Sequence, residues 1–152
     1  MRDLPVEFRR DSLVVSTDRS RIDPDAVLAL LHTTFWARGM RRDVLVRAIA
    51  NSISFGLLDG SALVGFGRAV TDLATYAYWT DVVIAPTHRG RGLGRWFSEC
   101  MLAHPELQGL RRVALLTRDA AGLYARIGFT TGAGELVYME HRGDRSAGVS
   151  PT

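Results

Sequence analysis

The part of this sequence best suited to bind a ligand is a run of glycines and arginines between positions 89 and 95. Its glycines stand at alternate positions and its arginines lie between and around them: Gly90, Gly92 and Gly94, with Arg89, Arg91 and Arg95. The run follows an apolar strand and opens an amphipathic helix, so free backbone N–H groups collect at the positive end of a helix dipole. Glycine has no Cβ, which lets a ligand approach the backbone closely. The segment therefore predicts a site for a phosphate or pyrophosphate group.

Two common nucleotide-binding loops do not fit these residues. A nucleoside-triphosphate loop ends in Gly-Lys-Ser/Thr, because its lysine contacts the outer phosphates. This sequence has no lysine, and all 19 of its basic residues are arginine, which excludes that loop. A dinucleotide-binding loop reads Gly-x-Gly-x-x-Gly. Counted from Gly90 or Gly92, the third glycine position holds Arg95 or Phe97, which disfavours that loop too.

The spacing Arg89-x-x-Gly92-x-Gly94, after a strand and before a helix, resembles the acetyl-CoA-binding motif of the GNAT N-acetyltransferase superfamily. A second segment, Asp119 to Phe129, resembles another signature of that family: a short helix that carries Tyr124 and closes on Gly-Phe. It follows one helix and one strand after the first motif. The resemblance covers about residues 12–141. We predict a single N-acetyltransferase domain over 1–141 and a polar, disordered tail over 142–152.

Apolar periodicity and turn signals predict the order β–α–α–β–β–β–α–β–α–β, which is an α/β fold with a mixed sheet and helices on both faces. Strands are expected near 12–17, 52–58, 62–70, 75–85, 112–117 and 136–141. Asp23-Pro24 begins the first helix, whose apolar face includes Phe35, and Asp59-Gly60 forms a hairpin turn. The resemblance implies the strand order of the GNAT fold. In that fold two central strands splay apart and the cofactor enters between them.

The resemblance implies acetyl-CoA as the cosubstrate. Backbone N–H groups of the glycine-rich loop hold the pyrophosphate, and the pantetheine arm pairs with the strand before the loop. Asp119 stands where many members carry an asparagine that touches the cofactor. The predicted cofactor-binding residues are Val82, Val83, Ile84, Arg89, Gly90, Arg91, Gly92, Leu93, Gly94 and Asp119. No His or Cys pair has the spacing of metal ligands, so we expect no metal.

The resemblance makes Tyr124 the acid that protonates the departing CoA thiolate. A phenol with a pKa of about 10 can donate to a thiolate with a pKa of about 8.5. The base is harder to place, because the inward positions on the long central strand hold Tyr78 and Thr80. Asp81 is the nearest carboxylate, yet strand alternation turns it to the opposite face from Thr80 unless a bulge intervenes. We predict Asp81 as the base or the anchor of the amine.

For the acceptor, the family forms a cleft from the connection between the first two helices and from the central strands. The predicted substrate-binding residues are Phe35, Trp36, Tyr78 and Thr80. Aromatic faces suit an amine with an apolar body and can hold its cationic form, whereas Arg38 would suit a carboxylate. Amino acids, aromatic amines, polyamines and peptide N-termini all remain open. The aromatic residues of the first helix would serve a homodimer interface as well as a cleft.

The function predicted is transfer of an acetyl group from acetyl-CoA to a primary amine of a small molecule or peptide by direct attack. The alternative is an acyl-CoA-binding module of the same fold without turnover. A nucleic-acid-binding protein is disfavoured, because the net charge is only +3 and acidic residues interrupt the basic ones. With one cysteine, no apolar run near the roughly 18 residues of a membrane span and no secretory h-region, we expect a cytoplasmic protein that binds no membrane.

Overall fold

The computed structural model describes residues 4–132 and 134–143, which form a mixed sheet with helices on both faces. The strands are β1 (Glu7–Arg10), β2 (Leu13–Ser16), β3 (Ile53–Asp59), β4 (Ala62–Thr71), β5 (Tyr76–Ile84) and β6 (Arg112–Leu115). The helices are α1 (Pro24–Leu31), α2 (Arg42–Ala50), α3 (Leu93–Leu102) and α4 (Ala121–Ala125), with 3-10 turns at Arg19–Arg21, Pro86–His88 and Pro105–Leu107. The predicted α/β class is confirmed. Within the described ranges no helix is long and apolar enough to cross a membrane.

The six strands lie side by side in chain order, and only β5 and β6 are parallel. A parallel neighbour requires a crossover connection, which α3 supplies here. β3 and β4 form a tight hairpin in which Asp59 pairs with Ala62, so its turn is Gly60-Ser61, with Gly60 at φ 61°. The sequence prediction placed this turn one residue too early.

Two glycines in the sheet reveal which helices cover each face. A Cβ on Gly67 would lie 2.9 Å from the ring of Phe97, so α3 packs directly against the backbone of β4. A Cβ on Gly56 would instead lie 3.2 Å from Ile22, which leads into α1. Gly67 pairs across the strands with Phe55, the neighbour of Gly56, and neighbouring residues of a strand point to opposite faces. α3 and α1 therefore lie on opposite faces of the sheet.

Helix α1 begins as predicted but ends early. The Asp23 carboxylate accepts a hydrogen bond from the backbone two residues on, at 3.0 Å, and Pro24 occupies the first turn. The helix stops at Leu31, so Phe35 lies in the connection to α2 and not on α1, which corrects the prediction. The buried Thr34 hydroxyl donates to the Leu31 carbonyl at 2.6 Å. Such local side-chain bonds compete with helical continuation.

Both ends of the chain depart from the sequence prediction. β1 was not predicted, because Glu7–Arg10 is charged and exposed and shows no apolar alternation. It pairs with β2 through a turn in which Asp11 has φ 55°. The strand predicted at 136–141 is wrong: Val137 is 81 % and Met139 87 % exposed, so this apolar run has no buried face to align it. Of the predicted tail, residues 144–152 lie outside the described residues, and the single domain over 1–141 stays a prediction.

Candidate active site

Strands β5 and β6 separate halfway along β5. They are paired only between Tyr76 and Trp79 on β5 and Arg112 and Leu115 on β6. Beyond Trp79, β5 continues to Ile84 with no described strand beside it on that side. The separation leaves a wedge-shaped gap in the sheet, bordered by backbone that no neighbouring strand occupies.

A β-bulge lies at the point where the strands separate. The ladder between β4 and β5 loses register between Phe66 and Arg68, and Asp81 has a left-handed φ of 58°. A bulge adds one residue and reverses the alternation of the residues that follow. Trp79 and Val82 consequently share a face although they are three residues apart: Trp79 packs near the ring of Tyr124 on α4, and Val82 lies against Gly67 beneath α3.

A cavity of about 1020 Å³ occupies the gap. Its walls come from Val82–Ile84 of β5, from the loop and first turn of α3, from the β6–α4 connection with α4, and from the α1–α2 connection. Because α3 and α1 cover opposite faces, the cavity passes through the sheet. One ligand can therefore enter from the α3 face and meet a second that enters from the α1 face.

The glycines of the predicted phosphate loop have two different roles. Gly90 and Gly92 have φ values of 79° and 73°, with open space where a Cβ would stand. Gly92 also caps α3 without any side-chain hydrogen bond, so the first N–H groups of that helix are not taken by a capping side chain. Gly94 lies within the helix, where a Cβ would stand 3.2 Å from Leu123 and crowd the α3–α4 contact. The first two glycines keep the backbone of the predicted phosphate site open, and the third lets the helices approach.

Basic side chains brace this loop from within. Arg89 donates to a main-chain carbonyl at 3.0 Å and Arg91 to another at 3.4 Å. His88 Nε2 lies 2.9 Å from an Asp59 carboxylate oxygen at the end of β3, which ties the loop to the β3–β4 hairpin. The hydrogen bond from His88 holds the pKa of Asp59 below its usual range. The loop is thus held by hydrogen bonds from its own side chains.

Tyr124 lies on the cavity wall within an aromatic cluster. Its ring centroid is 6.5 Å from that of Trp79 and 5.6 Å from that of Phe129, and the residue is buried. Burial raises the pKa of Tyr124, and the nearby hydroxyl of Ser98 partly opposes this shift. The two hydroxyls make no hydrogen bond of normal geometry, and the buried Ser98 Oγ has no partner among the described residues. Tyr124 is therefore a neutral phenol on the cavity wall at neutral pH, and its role as the acid stays a prediction.

Asp81 lies at the bulge but not on the cavity wall. Its carboxylate accepts a hydrogen bond from Arg68 Nε at 2.7 Å, and its side chain is 4 % exposed. Arg68 pairs across the ladder with Thr80, so the bulge does bring Asp81 toward the face of Thr80. Tyr78 and Thr80 are partly buried on β5 and do not line the cavity either. The catalytic role of Asp81 stays a prediction, and the ion pair does not favour it.

Twelve of the sixteen predicted site residues line the cavity, and four do not. Those on the wall are Val82, Val83, Ile84, Arg89, Gly90, Gly92, Leu93, Gly94, Asp119, Tyr124, Phe35 and Trp36. Those away from it are Asp81, Arg91, Tyr78 and Thr80. The aromatic pair comes from the α1–α2 connection, where the two rings meet edge to face at 5.1 Å.

Comparison with known proteins agrees with this geometry. Residues 50–131 match the model of the acetyltransferase (GNAT) domain, which is more than half of the chain. This protein belongs to the GNAT family. The GNAT chain is similar to a candidate acetyltransferase of Gibberella zeae, with 35 % identity over 145 residues that span 80 % of this chain and 81 % of that protein.

Solved GNAT structures have the same fold. A candidate GNAT-family acetyltransferase of Xanthomonas campestris superposes with a TM-score of 0.81 at 42 % identity, over 86 % of this chain and 93 % of that one. A more distant acetyltransferase-type structure, from Clostridium acetobutylicum with acetyl-CoA, superposes with a TM-score of 0.61 at 11 % identity, over 90 % and 95 % of the two chains. At that identity the second likeness extends only to the fold.

Several side chains on the cavity wall escaped the sequence analysis, among them His88, Ser98 and Arg118. No motif in the sequence marks His88 or Ser98 as cavity residues. The partner of His88, Asp59, is 29 positions away along the chain. Arg118 reaches across the gap, with its guanidinium carbon 3.7 Å from the ring centroid of Phe35. An arginine immediately before Asp119 was a signal that could have placed it near the cofactor motif.

Proposed function

We propose that this GNAT protein transfers the acetyl group of acetyl-CoA to a primary amine by direct attack of the amine on the thioester. The observation that carries the proposal is the cavity through the sheet, which has a helix terminus without a capping side chain on one side and a buried phenol in its wall. Such a passage suits two substrates that meet at the gap. The fold relative from Clostridium acetobutylicum, whose structure contains acetyl-CoA, adds support.

The donor would lie on the α3 side. Its pyrophosphate would accept hydrogen bonds from the first N–H groups of α3 and from the loop at Gly90–Gly92. Its pantetheine arm would run along Val82–Ile84, where β5 has no strand beside it on the gap side. This placement leaves the thioester at the gap, near Tyr124.

The reaction has two proton transfers. The amine nitrogen attacks the carbonyl carbon, a tetrahedral intermediate forms, and its C–S bond breaks. A backbone N–H near Val83 would stabilise the oxyanion, and Tyr124 would protonate the departing sulfur. The amine must also lose a proton, since an alkylamine with a pKa of about 10.4 is neutral in roughly one molecule in 2,500 at pH 7. With Asp81 held by Arg68, we assign this proton to water on the α1 side of the cavity, and the Tyr124 phenolate would regain a proton from solvent before the next turnover.

The first test compares the ligands directly. Thermal unfolding is followed with acetyl-CoA, CoA, ATP and NADH. Each is added at about a hundred times the Kd expected for a micromolar ligand, a concentration at which binding adds about 2.7 kcal/mol to the free energy of unfolding. Amines are then screened for release of the CoA thiol. We expect stabilisation by acetyl-CoA and CoA but not by ATP or NADH. Stabilisation by ATP or NADH alone would refute the proposal.

A matched pair of variants tests the anion site. Gly92→Ala and Gly109→Ala both place a Cβ at a left-handed φ, 73° and 75°, with open space around it. Each should cost about 1–2 kcal/mol of stability. Only Gly92 lines the cavity, so we expect only Gly92→Ala to weaken acetyl-CoA binding in calorimetry. Equal affinities for the two variants would place the phosphates elsewhere.

One observation favours a second candidate, an acyl-CoA-binding module without turnover. Of the described residues, His88 is the only histidine on the cavity wall, and it is bonded to Asp59. Asp81, off the wall, is bonded to Arg68. A protein that binds acetyl-CoA tightly but releases no thiol with any amine would support this candidate over the enzyme.

A further inference from the structure

The charged side chains of the cavity wall are nearly all cationic. Five arginines and one acid line it: Arg38, Arg89, Arg95, Arg118 and Arg126, against Asp119. Arg89 and Arg95 lie by the α3 terminus, where phosphates are expected. Arg38 and Arg118 lie by the α1–α2 connection, on the side that the acceptor would enter.

Arg118 is held in place by an aromatic ring. It follows β6 on one side of the gap, and it stacks on Phe35 of the α1–α2 connection at 3.7 Å. Stacking uses the face of the guanidinium and leaves its N–H edge available. Neither Arg118 nor Arg38 has an ion-pair or hydrogen-bond partner in the part of the chain that the structure describes. A planar N–H edge is the geometry that binds a carboxylate with two hydrogen bonds.

A third donor lies beside them. The indole N–H of Trp36 is buried on this connection without an acceptor among residues 4–132 and 134–143. Buried polar groups normally have a partner, but this nitrogen has almost no accessible surface and the buried Trp79 indole is unpartnered too, so the N–H groups that a ligand can reach here are those of the arginines. The acceptor side of the cavity therefore offers N–H donors and positive charge.

We propose that the amine acceptor carries a carboxylate, which Arg38 and Arg118 bind while Phe35 and Trp36 pack on its apolar part. The class is that of amino acids and peptide-like amines with a free acid group, and polyamines are disfavoured because, of the residues that the structure describes, Asp119 is the only acid on the wall. This inference rests on the proposed function. It narrows the acceptor from any primary amine to an anionic or zwitterionic one.

The test uses acceptors that differ only in the acid group: an amino acid, its carboxamide and its decarboxylated amine, in aromatic and aliphatic series, with spermidine as the polyamine. The carboxamide has the less basic amine, so chemistry alone favours it over the acid. A charged hydrogen-bonded pair is worth about a tenfold to hundredfold change in affinity. We expect kcat/KM to be at least about tenfold higher for the acid than for its carboxamide.

Arg118→Gln and Arg38→Gln should each raise KM for the acid about tenfold or more, with little effect on the carboxamide or on the Kd of acetyl-CoA. Arg111→Gln, an exposed arginine off the cavity wall, is the matched control. Binding of the N-acetylated acid to the CoA complex, measured by calorimetry, gives a readout without turnover.

The outcomes separate the two proposals. Transfer to amines with no preference for the acid, or with spermidine as the best acceptor, overturns this inference and leaves acetyl transfer standing. If Arg118→Gln weakens acetyl-CoA instead of the acid, Arg118 belongs to the donor site and the inference is again overturned. Failure to bind acetyl-CoA and to release thiol with every amine overturns both.

Discussion

The substitution Tyr124→Phe removes one hydroxyl from the cavity wall and little else. The ring stays in its cluster, 6.5 Å from Trp79 and 5.6 Å from Phe129. The hydroxyl makes no hydrogen bond of normal geometry within the described residues, since the nearby Ser98 Oγ has no partner. We therefore expect the free energy of unfolding to change by less than about 1 kcal/mol, because no protein hydrogen bond is lost.

The effect on rate should be much larger. Burial raises the pKa of Tyr124, so the phenol keeps its proton through neutral pH; in the proposed reaction it would give the proton up only as the C–S bond breaks. General acids contribute about 10²–10⁴ to a rate. A thiolate with a pKa of about 8.5 can leave without help, which places the loss near the lower bound, about 100-fold or 2.7 kcal/mol. Affinity for acetyl-CoA should be unchanged.

Single-turnover thiol release, at saturating acetyl-CoA, measures the chemical step without product release. Tyr76→Phe is the control, because Tyr76 is exposed on β5 and does not line the cavity. The ratio of wild-type to Tyr124→Phe rates should stay constant from about pH 6 to pH 9, since the raised pKa lies above the ordinary value of about 10. A variant that keeps a third of the wild-type rate, or a ratio that falls toward one by pH 8, would refute the assignment of Tyr124 as the acid.

Three further predictions concern neighbouring side chains. Burial raises the pKa of Cys100 to about 12, so its thiol should not react with a disulfide reagent at pH 8 until the protein unfolds. The stability that comes from burying the neutral thiol is complete below about pH 9 and is lost as pH rises toward 12. Rapid labelling of the folded protein would contradict this prediction. Asp81→Asn keeps a residue that tolerates the left-handed φ but breaks the ion pair with Arg68, which should cost about 3 kcal/mol in urea unfolding; a normal stability with a large loss of kcat would instead make Asp81 the base. Ser98→Ala should leave stability nearly unchanged and lower kcat by less than about tenfold. In the Tyr124→Phe background it should cause no further loss of kcat. Additive losses in that double-mutant cycle would show that the two hydroxyls act independently, against this prediction.

Local signals predicted the elements that bury an apolar face or contain a defined turn. The glycine spacing placed the start of α3, and Asp23-Pro24 placed the start of α1. The sequence did not reveal β1, whose charged residues pair with β2 through backbone bonds and through a hydrogen bond from the Ser16 hydroxyl to the Glu7 carboxylate. It also predicted a strand at 136–141, because an apolar run cannot by itself reveal that no neighbour covers it.

The sequence predicted the parts of the candidate site that are formed by backbone better than the parts that are formed by side chains. The positions of the loop N–H groups and of the unpaired edge of β5 depend on glycine spacing and strand order. Both can be recognised in the sequence. The contacts of His88 with Asp59 and of Arg118 with Phe35 join residues 29 and 83 positions apart, and no local pattern encodes them. The face of Asp81 depended on a bulge, which alternation alone could not decide.

That bulge gives Asp81 a structural role that explains its burial. A left-handed φ costs a non-glycine residue about 1–2 kcal/mol, and the bond to Arg68 at 2.7 Å offsets this by holding the side chain on the α1 face. The inserted residue turns Val82 toward α3, where Gly67 leaves room for it. It does so at the point where β5 parts from β6, so the strand bends while its backbone edge on the gap side becomes available. The ion pair that makes Asp81 a poor base therefore stabilises the bulge that, in the proposed function, would give the donor its place beside Tyr124.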